Sequence, residues 1–162
     1  MNRKRWVVTL SAAIVVVAAV PAMAAQSDLL EVRRATAQFR SVEVAETAGY
    51  ERFLDCFDSP DGGMGQHYVD VAALDSVVDP LHPESMVYEV RFDETRGEHL
   101  TLVAVEWVVP GAPTDEPPEL FGEHFHYNPT LGIWALHAWL FERNPSGMFA
   151  DWNPNVGPCP SS

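Results

Sequence analysis

The sequence predicts a single α+β domain, with an N-terminal helix packed on a mainly antiparallel sheet. Three observations carry this. An apolar stripe of helical period lies early in the chain, runs of strand character follow it with two joined by a short glycine-containing turn, and neither an internal repeat nor a second apolar unit comes after. A helix with one apolar stripe has to bury it, and a sheet face is the partner this chain offers.

Ahead of the stripe stands a leader. Arg3, Lys4 and Arg5 precede an apolar run from Val7 to Val20, and Pro21 then introduces Ala22-Met23-Ala24. A basic start, an apolar stretch and a small-x-small ending are the marks of a signal peptide, so residues 1–24 are expected to be removed by a cut before Ala25. The run is shorter than the roughly 20 residues of a membrane span. No transmembrane anchor is therefore expected after cleavage, and the protein is expected to be secreted or otherwise extracytoplasmic. Residues 25–162 would form the one globular domain.

The exported part holds seven arginines, no lysine and 23 acidic residues, a net charge of −16. Such a surface repels phosphate backbones, which argues against nucleic acid as a partner, and it favours cations. Cys56 and Cys159 are the two cysteines. In an oxidising compartment an even pair reads as a disulfide, here tying the tail to the end of the first helix.

Element by element, Asp28 and Glu31 mark a helix start. Val32, Ala35, Phe39, Val42 and Ala45 continue at helical spacing, and Gly49 stops the helix predicted over 28–48. The glycine run Gly62-Gly63-Met64-Gly65 is expected to turn the backbone tightly before a strand over Gln66–Val71. Ser85–Phe92 and His99–Val109 read as a hairpin around Gly97, and Pro110–Pro118 as an exposed loop. Phe121–Tyr127 is a short strand candidate. Ile133–Glu142 fits helix or strand; its length and aromatic content favour a strand buried on both faces. Met148–Ser162 reads as an irregular tail.

Familiar catalytic signatures are absent: no G-x-S-x-G, H-E-x-x-H, C-x-x-C or dinucleotide fingerprint occurs, and Asp55, Asp58 and Asp61 miss the spacing of a calcium loop. Catalytic residues are accordingly unassigned, and whether the protein is an enzyme stays open. The histidines offer more. His124-x-His126 places two imidazoles on one face of a strand if the strand is continuous. Glu106 interrupts an apolar strand, LTLVAVEWVV, and His137 interrupts WALHAW. A buried carboxylate must be paired, protonated or bound to a metal. The candidate ligand set is His67, Glu106, His126 and His137, with His124 in reserve, for zinc or copper. The competing reading is structural: Glu106 salt-bridged to Arg91 or Arg52, or paired with His137, and no metal. A second functional reading is a non-catalytic extracellular binding module with an aromatic pocket, drawn from Trp107, Trp134, Trp139, Phe141, Phe149 and Trp152.

Several stretches, Gly63-Met-Gly-Gln-His-Tyr-Val69, Val105-Glu-Trp-Val-Val109, Leu120-Phe-Gly-Glu-His-Phe-His126, Leu136-His-Ala-Trp139 and Asn144-Pro-Ser-Gly-Met-Phe-Ala-Asp-Trp-Asn-Pro-Asn-Val156, resemble those of a family of uncharacterised exported bacterial proteins. The resemblance implies export, one domain and a disulfide, and it supplies no reaction.

Overall fold

A computed structural model describes residues 20–160. The signal peptide expected over residues 1–24 lies, but for its last five residues, outside that range. Six strands form one antiparallel sheet in the order β1-β2-β3-β4-β8-β7: β1 Glu51–Ser59, β2 Gly62–Val69, β3 Ser85–Asp93, β4 Gly97–Pro110, β7 His126–Asn128 and β8 Ile133–Ala138. The remaining two, β5 Glu119–Leu120 and β6 Glu123–His124, pair with each other.

Helix and sheet combine as the pattern predicts, but the helix is not continuous. An α-helix α1, Val20–Thr36, gives way to a 3-10 turn, Ala37–Arg40, and a second helix α2, Val42–Thr47, begins after Ser41. Ser41 is extended (φ −89°, ψ 119°) and its hydroxyl accepts from the Val44 amide, so it caps α2. An N-cap residue is non-helical by definition, and serine's preference for that role outweighs the helical spacing around it. Both pieces still face the sheet: Val32 and Ala45 join a core with Met86, Tyr88, Trp107 and Leu136. The Tyr88 hydroxyl donates to the Phe39 carbonyl (2.6 Å) and Arg33 to the Leu140 carbonyl (2.8 Å), while Arg33 and Arg40 both lie over the Phe141 ring.

The β3–β4 hairpin forms as expected. Asp93 pairs with Gly97 across a three-residue loop, and Gly97 takes the left-handed φ (+80°) that this turn needs. Ile133–Ala138 is a strand, resolving the ambiguity of that segment, and it ends four residues before Glu142.

Four other expectations change. Glu51–Ser59 is the edge strand β1, largely exposed, so Cys56 lies on a strand instead of at a helix end. The disulfide itself is present, joining Cys56 to Cys159. The glycine run lies inside β2 and is not a turn: a Cβ at Gly62 would sit 2.4 Å from the Asn153 backbone, because the tail lies directly on this strand. Phe121–Tyr127 is not one strand. Phe121 and Gly122 both have positive φ (56° and 82°), making the two-residue turn that joins β5 to β6.

The last change concerns sides, since strict alternation along this strand puts Glu106 on one face with Leu100, Leu102 and Ala104. Val87 pairs with Ala104 but Tyr88 with Leu102, leaving Val103 as an extra residue in β4. Such a bulge reverses the alternation beyond it. Leu102 therefore packs with Val105 and Trp107 under the helices, and Glu106 shares the opposite face with Ala104 but not with Leu100 or Leu102.

Candidate metal centre

Three of the four expected ligands meet on the face turned away from the helices. Register explains how. Glu106 pairs directly with His137 across β4 and β8, and on its other side with Ser85 of β3. His67 of β2 pairs with Val87, which pairs with Ala104, two residues from Glu106 on the same face. Side chains of one face on adjacent strands stand about 5 Å apart, so register brings His137 beside Glu106, while His67 reaches the carboxyl across β3.

All three side chains are nearly sealed, with residue exposures of 6% for His67, 6% for Glu106 and 3% for His137. Glu106 Oε1 lies 3.3 Å from His137 Nδ1, Glu106 Oε2 3.4 Å from His67 Nε2, and the two Nε2 atoms 3.4 Å apart. One donor atom from each residue falls within 4.8 Å of the others. These spacings are long for N–H···O bonds, whose usual length is about 2.9–3.0 Å. They run through both oxygens of Glu106 and both nitrogens of His137, so a single ion taking one donor from each residue would draw the three side chains closer together than the 4.8 Å within which those donors lie. Trp139 stacks on His137, and Phe57 meets His67 edge-on.

Burial sets the charges. Desolvation pushes the Glu106 carboxyl up to about 8, and the negative charges of Asp151 and Glu84 push the same way. Desolvation lowers His67 to about 4 and holds His137 well below the ordinary imidazole value, where the His67 and His126 charges also oppose its protonation. At neutral pH the group holds two neutral imidazoles and a protonated carboxyl. Neutral imidazole is the ligating form, so a cation entering has one proton to displace, that of Glu106.

Two buried polar atoms on this face have no hydrogen-bond partner, His67 Nδ1 and Ser85 Oγ. Each such atom costs about 1–3 kcal/mol. Trp134 Nε1 in the helix-covered core is orphaned as well, so such atoms are not peculiar to this face. Neither arginine weighed as a partner reaches Glu106: Arg91 pairs with Glu89, and Arg52 with Glu98.

The fourth expected ligand is not in the cluster. His126, the first residue of β7, pairs through Nδ1 with Asp151 Oδ1 at 3.0 Å and is largely exposed. His124, the reserve, is exposed on β6 and paired with Glu119 in the small sheet, so the two histidines do not share a strand face. Phe125 is buried between them, its amide bonded to the Pro118 carbonyl.

A cavity of about 640 Å³ opens over the cluster, and His67, Glu106 and His137 all line it. Its walls are Phe53, Leu54 and Phe57 of β1, Val108 of β4, Ile133 and Ala135 of β8, the loop around Leu131, and Asp151 and Trp152 of the tail. Of the six aromatics suggested for a pocket, Trp152 alone lines this one. Trp107 is buried with Nε1 donating to the Asp79 carbonyl, and Trp139 donates to the Ala150 carbonyl. Trp134 is core, while Phe141 and Phe149 pack against the same core. No sequence pattern points to Asp151, which lies in an aperiodic tail, nor to Phe53 and Phe57, whose strand has no alternating pattern.

Comparison with protein-family models, with curated proteins and with solved structures finds no match.

Proposed function

We propose that this is an exported protein that binds one divalent transition-metal ion through His67, Glu106 and His137. The observation carrying the proposal is the convergence of two neutral imidazoles and one carboxyl group on a buried sheet face, with one donor atom from each within 4.8 Å of the others. Nitrogen and oxygen donors of this kind suit zinc or copper. Three protein ligands leave a position for water or a ligand, as in metal sites that do chemistry rather than hold structure. The net charge of residues 25–162, −16, draws cations toward the molecule and disfavours nucleic acid. Export is supported by the leader sequence and by the disulfide, a bond characteristic of oxidising compartments.

The test is metal content. Protein purified without an affinity tag is stripped with chelator and titrated with Zn²⁺ and Cu²⁺ by calorimetry. One equivalent should bind, and the melting temperature should rise; ligand at 100 times Kd adds about 2.7 kcal/mol. If neither ion binds nor shifts melting, the proposal fails. The cavity favours a second reading, an apolar ligand held without metal, because Phe53, Phe57, Tyr127 and Trp152 all line it. In that case Glu106→Ala changes stability and leaves metal content unaltered.

A further inference from the structure

The cavity is mostly carbon, with Phe53, Phe57, Met64, Val108, Leu131 and Ile133 among its lining residues. Its volume, about 640 Å³, suits a small molecule, for which sites of about 300–1,000 Å³ are usual. Apart from the Tyr127 phenol, the titratable groups that line it fall into two sets. His67, Glu106 and His137 form the buried floor, and the exposed His126–Asp151 pair stands on the outer wall.

Charge narrows the ligand. A divalent ion held by two neutral imidazoles and one carboxylate has a net charge of +1, and an uncompensated charge in an apolar cavity is costly. One anionic group cancels it. An ammonium compound would add to the charge, and a sugar would set its hydroxyls against carbon walls without partners.

We infer that the cavity takes a small monocarboxylate with an apolar body, a carboxylate oxygen completing the coordination of a metal held by His67, Glu106 and His137 while the carbon chain lies against Phe53, Phe57 and Leu131. This rests on the metal-binding reading above. Affinity rises with chain length, by up to about fourfold for each methylene fully buried.

Cobalt(II) is the probe, because its visible spectrum reports its coordination. Stripped protein loaded with one equivalent of Co²⁺ is titrated with acetate, octanoate and 1-octanol. Octanoate should alter the cobalt spectrum and bind at least a hundredfold tighter than acetate. Octanol, with the chain but no anionic head, should bind at least tenfold more weakly than octanoate and leave the spectrum unchanged. In Leu131→Asp, which puts a negative charge at a partly exposed wall position, octanoate affinity should fall at least tenfold with cobalt uptake retained. Cobalt uptake with no spectral response to octanoate, or with octanol as tight as octanoate, overturns this inference and leaves the metal reading standing. Failure to take up cobalt removes both.

Discussion

Glu106 and Trp107 are neighbours on the longest strand, and their side chains leave it in opposite directions. Trp107 enters a core closed by α1, the 3-10 turn and α2, where its one polar atom has a carbonyl partner. Glu106 enters a face covered only in part by the tail, among polar groups whose hydrogen bonding is incomplete. Both residues are buried, so burial does not distinguish them. Nor do orphaned polar atoms, since Trp134 Nε1 in the helix-covered core also has no partner; the difference lies in what is gathered, one face packing apolar side chains around Trp107 and the other keeping three donor groups together beside a cavity.

Four measurements divide the two faces, and a fifth is a control. The largest loss should follow removal of the staple. Cys56→Ser combined with Cys159→Ser opens a closed loop of sequence separation 103, and should lower the urea-unfolding free energy by about 4–5 kcal/mol in the chain-entropy account. Trp107→Ala should cost about 3–5 kcal/mol in the same assay, with zinc affinity of the folded fraction little changed. Glu106→Gln, nearly the same shape, should reverse that pattern. Zinc affinity falls at least about a hundredfold, more than the loss of a supporting partner typically causes, while the metal-free protein stays folded. If Trp107→Ala abolishes zinc binding and Glu106→Gln unfolds the chain, the division between the faces is wrong.

The next effect is in pH. Glu106 has a folded-state value raised to about 8, so the preference for its protonated form is complete below about 4.5 and is lost as pH rises through 8. His67, lowered to about 4, and His137, held well below its ordinary value, act oppositely: their contribution is present above about 6.5 and lost as pH falls. Metal-free protein should therefore melt highest near pH 6–6.5. The decline toward pH 8.5 should largely vanish in Glu106→Gln or with saturating zinc. A melting temperature that climbs steadily from pH 6 to 8.5 in the metal-free protein would contradict the protonated carboxyl. Smallest of all, His124→Ala should stay within about 0.5 kcal/mol and leave zinc binding unaltered.

Much of this contrast could be read from sequence, because a lone polar residue inside an apolar strand is a local signal. Glu106 and His137 announce themselves that way, and the two cysteines do so through their compartment. What could not be read depends on backbone events without a period. The bulge at Val103 moves Leu100 and Leu102 to the helix side, though simple alternation puts them beside Glu106. Ser41 interrupts a helix whose apolar spacing continues through it. The Phe121-Gly122 turn separates His124 from His126, and it uses a phenylalanine where positive φ is uncommon. Strand β1 was illegible because its residues are mostly exposed and its charges fall on no regular period.

That same strand has a consequence for how the molecule meets its own copies. An open sheet ends in unpaired amides and carbonyls that another chain can extend. Here one end is β7, only three residues long. The other is β1, where Phe53 pairs with His67 but Phe57 with Gly65, so two extra residues bend the strand, Leu54 turns to φ +56°, and Cys56 is tied to the tail. Neither end presents a straight row of free backbone groups. A chain this rich in valine and aromatic strands is thereby kept from growing by edge-to-edge addition when concentrated.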